Sequence, residues 1–228
     1  MGFFAHLDTV APSYKKLNRV RYGDLLGCDN GFLGGDCRGG VAIILYLAHV
    51  MHIPGTYYLT ECEEIGCIGM KTTLDAHPEE FTHLSLAISL DRKGTQDCVY
   101  TQLGRHCASE NFALDFCETL LLEGGLAYTP EQGLYTDTHL IGDLVPQVLN
   151  LGIGYHYNHS KREVIDMAHL DKLGAALTRL PWDPMTELAV EDEWQKHLAN
   201  EPKGWKGIPE DPWDPAEEWR DEEKFTCQ

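Results

Sequence analysis

The chain has 228 residues, of which 43% are hydrophobic, and this is enough to bury a substantial core. Its formal net charge is −18. An acidic surface repels nucleic-acid phosphates and anionic lipid headgroups, so we expect neither nucleic acid nor a membrane as a partner. The longest apolar run, VAIILYLAHV, is too short to cross a bilayer.

Strand and helix patterns alternate along the first 180 residues. The runs typical of strands are GFFAHL, GTYYLT, HLSLAISL, CVYTQL and QVLNLGIG. The helical patterns are RGGVAIILYLAHVMH, a segment after Gly66, SENFALDFCETLLLEGG and DMAHLDKLGAALTRL. Ser109 is the predicted N-cap of the third helix, and Gly124–Gly125 is its predicted end. Asp166 is the predicted cap at the start of the fourth helix. The alternation predicts an α/β sandwich with a mostly parallel central sheet.

Acidic residues and histidines stand where the predicted strands end. FFAHLD supplies His6 and Asp8, which share one face because strand side chains alternate. The other such residues are Asp36, Glu63, Glu64, Asp91, His156 and His159. In a parallel sheet the carboxyl ends of the strands meet at one edge, where ligands bind. We therefore expect these side chains to gather at one site.

This mixture of residue types suits a pair of metal ions. Two histidines and three carboxylates can hold two zinc ions, or other divalent metals, with one carboxylate shared between them. Two metals about 3.5–4 Å apart hold a hydroxide and polarise a carbonyl together. One carboxylate must stay off the metals to move the proton, and an adjacent Glu–Glu doublet provides a base beside a ligand. The pattern is typical of hydrolysis.

The ordered motifs HLD, GGDCRGG, EEIG, SLD and HSKRE resemble those of the co-catalytic dizinc exopeptidase superfamily, which includes bacterial dizinc aminopeptidases, peptidase T and carboxypeptidase G. That family shows H-x-D after a strand, G-x-D-D-[KR]-x-G, E-E-x-G, a strand ending in Asp or Glu, and a late His followed by an acid. The resemblance covers residues 3–180. It implies a three-layer α/β sandwich and a metallopeptidase that uses two Zn²⁺ ions.

The resemblance implies five metal ligands, which are His6, Asp36, Glu64, Asp91 and His159. Asp36 would bridge the two ions. His6 and Asp91 would complete one site, and Glu64 and His159 would complete the other. His159 is favoured over His156 because Glu163 follows it by four residues, as the family's acid does.

The resemblance also implies roles for residues beside the ligands. Glu63 would be the general base, and Asp8 would orient His6. In GLYTDTHLIGD, Asp137 is a candidate for contacting the substrate, although capping of a helix is an equal alternative. Arg105 and His106 could stabilise an oxyanion or a carboxylate, but ordinary surface positions are the simpler interpretation.

Two features depart from the wider family pattern. Cys37 replaces the usual second Asp, so any electrostatic role of that acid is missing and a thiol is expected near the metals. Asp91 and His159 are separated by 68 residues, which the predicted strands and helices already fill. Carboxypeptidase- and peptidase T-type members insert a lid domain there. The spacing therefore predicts the lidless aminopeptidase branch.

The segment after residue 180 differs in composition. Residues 182–228 hold all five tryptophans, with 14 acidic and five basic residues. PWDPMTE at 181–187 recurs as PWDPAEE at 212–218. We predict a catalytic domain of residues 1–180 and an acidic, Trp- and Pro-rich extension of residues 181–228. The extension is expected to be extended in conformation, ordered through Trp213, and to pack its indoles on the domain or build a homo-oligomer.

The sequence leaves three functions open. An aminopeptidase-type exopeptidase acting on short peptides is favoured. A deacylase or amidohydrolase acting on a non-peptide conjugate would use the same residues, because nothing in the sequence defines the side-chain pocket. A binding protein acting through the acidic extension is disfavoured, because all six ligand and base positions are filled. The scattered cysteines and the absence of a signal sequence predict a cytoplasmic location.

Overall fold

A computed structural model describes residues 1–10 and 16–201. The strands are β1 (Gly2–His6), β2 (Arg19–Tyr22), β3 (Leu25–Cys28), β4 (Thr56–Thr60), β5 (Leu86–Arg92), β6 (Asp97–Gln102), β7 (Arg105–His106), β8 (Thr129–Gly133), β9 (Gln147–Gly152), β10 (Tyr155–His156) and β11 (Val164–Asp166). The helices are α1 (Gly35–Leu45), α2 (Ile68–Ala76), α3 (Glu79–Thr82), α4 (Glu110–Gly124), α5 (Met167–Leu177), α6 (Trp182–Glu191) and α7 (Glu193–Asn200). A π-helical turn, Tyr46–Val50, follows α1, and a 3₁₀ helix spans Asp137–Ile141. No described helix is both long and apolar enough to span a membrane.

The central layer is a seven-stranded sheet of order β4-β1-β5-β9-β6-β7, with β8 paired to β6. Strands β4, β1, β5 and β9 are parallel, whereas β6 runs antiparallel to β9 and β7 runs antiparallel to β6. The predicted α/β fold with a mostly parallel sheet is confirmed. A separate four-stranded antiparallel sheet has the order β10-β11-β3-β2.

The two phenylalanines of β1 show why the sheet has helices on both faces. Phe3 and Phe4 are adjacent, so their side chains point to opposite faces, and both are buried. Phe3 packs in a core with residues of α1, α4, α5 and α6. Phe4 packs in a second core with Met70 of α2 and Phe81 of α3. A strand that is apolar on both faces requires this three-layer arrangement.

The predicted helix boundaries are confirmed at α4 and α5. The Ser109 hydroxyl accepts a hydrogen bond from the Phe112 N–H at 3.0 Å, which satisfies an orphan donor at the start of α4. Gly125 ends this helix in the left-handed conformation, with φ of 68°. Asp166 caps α5 by accepting from the His169 N–H at 2.9 Å.

Gly40 sets how closely α1 approaches the sheet. A Cβ at this position would lie 2.1 Å from the carbonyl oxygen of Leu90 and 3.1 Å from the Cβ of Ala5. Any side chain here would push the helix away from β1 and β5. The glycine therefore holds the start of α1, which carries Asp36, against the sheet.

The beginning of the C-terminal extension is helical, so the prediction of an extended conformation is wrong for its described part. Pro184 lies in the first turn of α6, where a missing N–H leaves no helical hydrogen bond unmade. Met185 and Ala189 are buried on one side of this helix. Residues 202–228, with the second PWDP segment and the predicted order through Trp213, lie outside the described residues. The boundary at residue 180 stays a prediction.

Trp182 joins α6 to the domain. Its ring meets Phe3 edge-on, with centroids 5.3 Å apart, and its indole N–H donates to the Leu177 carbonyl at 3.0 Å. We expect Trp182→Ala to lower the free energy of unfolding by about 3–5 kcal/mol, the usual cost of emptying a buried aromatic site. Urea denaturation measures this change. Trp194 is 60% exposed, so Trp194→Ala is the control, and equal losses for the two variants would contradict the prediction.

Candidate metal centre

The carboxyl edge of the central sheet brings the predicted ligands together. His6 ends β1, and Asp91 lies near the end of β5, the neighbouring strand. The glutamate pair 63–64 follows β4 on the other side of β1. Asp36 stands at the start of α1, and His159 lies between β10 and β11. Residues that are distant in the sequence therefore converge at one edge, as the parallel topology requires.

His6 is buried among carboxylates. Its Nε2 lies 3.1 Å from Oδ1 of Asp36 and 3.4 Å from Oδ1 of Asp91. Its Nδ1 lies 3.1 Å from the backbone oxygen of Asp8. Burial by itself lowers the pKa of His6, but the carboxylates of Asp36, Asp8 and Asp91 outweigh it, and the pKa is raised. A cation at Nε2 would replace this proton, with Nδ1 still donating to Asp8.

His159 forms a second set with the other oxygen of Asp36. Its Nε2 lies 2.9 Å from Oε2 of Glu64 and 3.2 Å from Oδ2 of Asp36. The two oxygens of Asp36 therefore face two different histidines. The second oxygen of Glu64, Oε1, is buried without a hydrogen-bond partner among the described residues.

The Asp36 carboxylate and its backbone are held by residues far along the chain. Glu163 is buried, and its carboxylate accepts from the N–H of Gly34 at 2.6 Å and from the N–H of Asp36 at 3.0 Å. The side-chain amide of Asn158 donates to Oδ2 of Asp36 at 2.8 Å. These contacts orient the Asp36 carboxylate before any ligand arrives.

Asp8 links His6 to the glutamate pair. Its two carboxylate oxygens accept from the backbone N–H groups of Glu63 and Glu64, each at 3.1 Å. Burial opposes ionisation of Asp8, but His6 and these two N–H groups outweigh it and lower the pKa of the carboxyl. An ionised Asp8 therefore fixes both the His6 ring and the backbone that presents the pair.

Glu63 reaches the centre without making a close ion pair. Its Oε2 lies 4.0 Å from Nε2 of His6, and the thiol of Cys67 donates to Oε1 at 3.7 Å. Burial, followed by repulsion from Asp91, raises the pKa of Glu63 to about 8. Burial and Asp36 raise the pKa of Glu64 to about 7. Bound cations would reverse both shifts, because they stabilise the ionised carboxylates.

Two residues that sequence reasoning did not single out hold Asp91. The Thr136 hydroxyl donates to Oδ2 of Asp91 at 2.6 Å. The Asn150 side chain accepts from the Asp91 N–H at 3.1 Å. Asn150 is a buried polar residue inside the apolar strand β9. A polar residue within an apolar run of the sequence could have indicated a role in the site. Nothing in the local sequence singles out Thr136 or Asn158.

The centre opens into a cleft of about 200 Å³. Its lining comprises Asp36, Glu63, Glu64, Asp91, Arg92, Lys93, Val99, Gly133, Leu134, Tyr135, Thr136, Asn150, Tyr155, Asn158 and His159. Four carboxylates therefore stand at one end of an open, partly apolar space. A concave space with converging polar groups can bind a small molecule or part of a short peptide.

The remaining predicted residues lie outside this lining. Asp137 is buried; its Oδ2 accepts a hydrogen bond from the Thr60 hydroxyl, and its Oδ1 has no hydrogen-bond partner among the described residues. Arg105 pairs with Asp143. His106 and His156 belong to β7 and β10, and neither contributes to the cleft lining.

Cys37 turns its thiol toward the sheet. The side chain is fully buried and donates to the Leu90 carbonyl at 3.0 Å. Its sulfur nevertheless lies within 4.8 Å of ligand atoms of His6 and Asp91. Burial, followed by repulsion from Asp91, raises the pKa of the Cys37 thiol. Burial therefore keeps the Cys37 thiol neutral beside His6 and Asp91.

The fold is shared with solved peptidase structures. Aminopeptidase PepT from Bacillus cereus ATCC 10987 superimposes with a TM-score of 0.63 at 13% identity, covering 83% of this chain and 80% of that chain. A tripeptidase from Staphylococcus aureus subsp. aureus Mu50 gives 0.62 at 12% identity, with the same coverage of 83% and 80%. The TET1 peptidase of Pyrococcus horikoshii, which assembles into a tetrahedron or a large octahedral shell, gives 0.54 at 16% identity, covering 72% of this chain and 52% of that chain.

These similarities establish the fold, which is that of zinc exopeptidases. The resemblance predicted from the motifs is confirmed for the fold. No protein-family model matches the sequence, and no curated protein matches it significantly.

Proposed function

We propose that the chain is a zinc-dependent aminopeptidase that removes the N-terminal residue from short peptides. The observation that carries this proposal is the position of Asp36, whose two carboxylate oxygens face two separate histidine–carboxylate sets. The fold shared with solved aminopeptidases supports the same class of reaction.

The residues present fit two divalent cations. Nitrogen and carboxylate donors are ligands that zinc accepts, and ligand atoms of His6, Asp36 and Glu64 lie within 4.8 Å of one another. The unpartnered oxygen of Glu64 also fits, because a buried carboxylate oxygen without a partner is costly until a cation or donor meets it. In the proposed arrangement Asp36 would be a ligand of both ions, His6 and Asp91 would hold one of them, and Glu64 and His159 would hold the other. When bound, the ions would supply a polarised substrate carbonyl and a water molecule of lowered pKa.

Glu63 is the proposed general base. Its carboxylate stands beside the ligands and 4.0 Å from His6, so it is free to exchange protons. It would accept a proton from the attacking water and then donate that proton to the amine nitrogen that leaves when the amide bond breaks. Glu63 returns to its starting state after each turnover. Asp8 would keep His6 and Glu63 in position, since it contacts the His6 ring and accepts hydrogen bonds from the backbone of the glutamate pair.

A deacylase acting on a non-peptide conjugate would use the same groups, and only a substrate panel separates the two. An aminopeptidase requires a free substrate amine, whereas a deacylase accepts an acylated one.

From composition alone we also propose a cytoplasmic location and self-association through the acidic extension. Size measurement of the full chain in solution tests the second of these, and a monomer would contradict it.

The first test of the proposed function is metal content. We expect the chelator-treated chain to take up two zinc ions per chain, measured by elemental analysis after removal of free metal. Zinc should restore hydrolysis of leucyl peptides but not of N-acetylated leucyl peptides. Trace metal after reconstitution would overturn the dizinc proposal, and turnover of the acetylated peptides alone would favour the deacylase.

A further inference from the structure

Two basic residues line the cleft beside the cluster of carboxylates. They are Arg92 and Lys93, which directly follow Asp91 in the chain. The guanidinium of Arg92 is occupied, because its Nη2 and Nε lie 2.8 and 2.9 Å from Oδ2 of Asp97. Lys93 is exposed, and within residues 1–10 and 16–201 no carboxylate lies within ion-pair distance of its ammonium group.

The backbone around Lys93 is fixed on both sides. The Arg92 carbonyl accepts from the Ile153 N–H at 2.8 Å. The Gly94 N–H donates to the Tyr155 carbonyl at 2.9 Å, and the Gly94 carbonyl accepts from the Gly154 N–H at 2.7 Å. Lys93 therefore projects from an anchored strand end, and its side chain alone has to be ordered when a ligand binds.

The charge of this position is notable in an acidic chain. The protein carries a formal charge of −18, and the cleft contains four carboxylates from the proposed centre. The two zinc ions of the proposed centre would offset these four carboxylates, so the repulsion that an anionic group of a substrate meets comes from the acidic protein as a whole. The ammonium group of Lys93, a lining residue with no ion-pair partner among the described residues, would reduce that repulsion locally and would offer a charge-assisted hydrogen bond. Leu134, which lines the same cleft and is 76% exposed, can cover an uncharged part of the ligand.

We propose that Lys93 binds a carboxylate of the substrate and so makes the enzyme selective for short peptides that carry one. The carboxylate is either the free C-terminus of a peptide of a few residues or an acidic side chain. This inference rests on the proposed function, because it assumes that the cleft binds the peptide that is hydrolysed. Lys93 is then a specificity-determining residue of the same site.

The test compares two matched pairs of substrates with the zinc-loaded full chain. Leu-Gly-Gly and its C-terminal amide differ only in the terminal carboxylate. Glu-Gly-Gly amide and Gln-Gly-Gly amide differ only in the side-chain carboxylate. We expect the carboxylate member of at least one pair to have a KM lower by about tenfold, with little change in kcat, as a charge-assisted hydrogen bond provides. The pair that responds identifies the source of the carboxylate.

Three variants assign the preference to Lys93. Lys93→Met should abolish it, and Lys93→Arg should retain part of it because the charge remains. Lys172→Met removes an exposed lysine of α5 outside the cleft, and it should behave like the unmodified chain. Equal KM values within both pairs, or a preference that survives in Lys93→Met, would overturn the inference.

Binding without turnover separates this inference from the proposed function. Calorimetry with the Glu63→Gln variant measures affinity for the same four peptides. Preferential binding of a carboxylate member together with no hydrolysis by the unmodified chain would refute the proposed function alone. Hydrolysis without any carboxylate preference would refute the role of Lys93 alone. Absence of both would refute both.

Discussion

Replacing Glu63 with Gln is expected to slow peptide hydrolysis by about 10²–10⁴-fold, the range for loss of a general acid–base group, while metal content stays unchanged. The amide cannot accept the proton of the attacking water, yet it has nearly the shape of the carboxylate. Glu63 lies 4.0 Å from His6, and the backbone that carries it is held by Asp8. The measurements are kcat and metal content on the same preparation.

The neighbouring residue provides the matched contrast for this prediction. Glu64 lies 2.9 Å from His159, so Glu64→Gln should weaken metal binding and should lose activity for that reason. Glu118→Gln, on the exposed side of α4, should change neither quantity. Equal loss of metal from the Glu63 and Glu64 variants would show that the proposed division of roles is wrong.

Replacing Asp36 with Asn should abolish metal binding at both positions and with it all turnover. Substitution of groups that only orient a ligand already costs about 10–100-fold in metal affinity. The two oxygens of the Asp36 carboxylate face His6 and His159. Its replacement should therefore lower zinc affinity by more than this factor, because one change removes a ligand from each ion. Elemental analysis and calorimetric zinc titration report the number of sites and their affinities.

The comparison with Asp91→Asn makes this prediction specific to a bridging role. Asp91 lies 3.4 Å from His6, and no ion pair joins it to His159 among the described residues. Its variant should therefore lose one ion of the two. Asp24→Asn, at an exposed position before β3, should keep both. Retention of one tightly bound zinc by the Asp36 variant would contradict the bridging proposal, provided that circular dichroism shows an intact fold.

The sequence by itself was sufficient for the fold class and for predicting that the candidate metal ligands lie close together. The alternation of strand and helix patterns predicts the α/β sandwich, and Ser109 and Gly125 set the ends of α4 through a local hydrogen bond and a left-handed turn. The position of His6 and Asp91 near strand ends is enough to predict that they meet, because parallel strands share one carboxyl edge. These conclusions depend on local geometry and on topology, both of which leave a periodic pattern in the sequence.

Only the tertiary structure decided how the site is held and which side chains enter it. Asn158 contacts Asp36 across 122 residues, and Thr136 contacts Asp91 across 45. Such contacts have no period, since they depend on how loops return to the sheet edge. The motif spacing already favoured His159 over His156, and the path of the chain after β10 places His159 2.9 Å from Glu64. The helical form of residues 182–200 is another case, because burial of Trp182 against Phe3 outweighs a local composition rich in proline and acid. These features depend on packing between residues that are far apart in the sequence, and no local sequence pattern reports such packing.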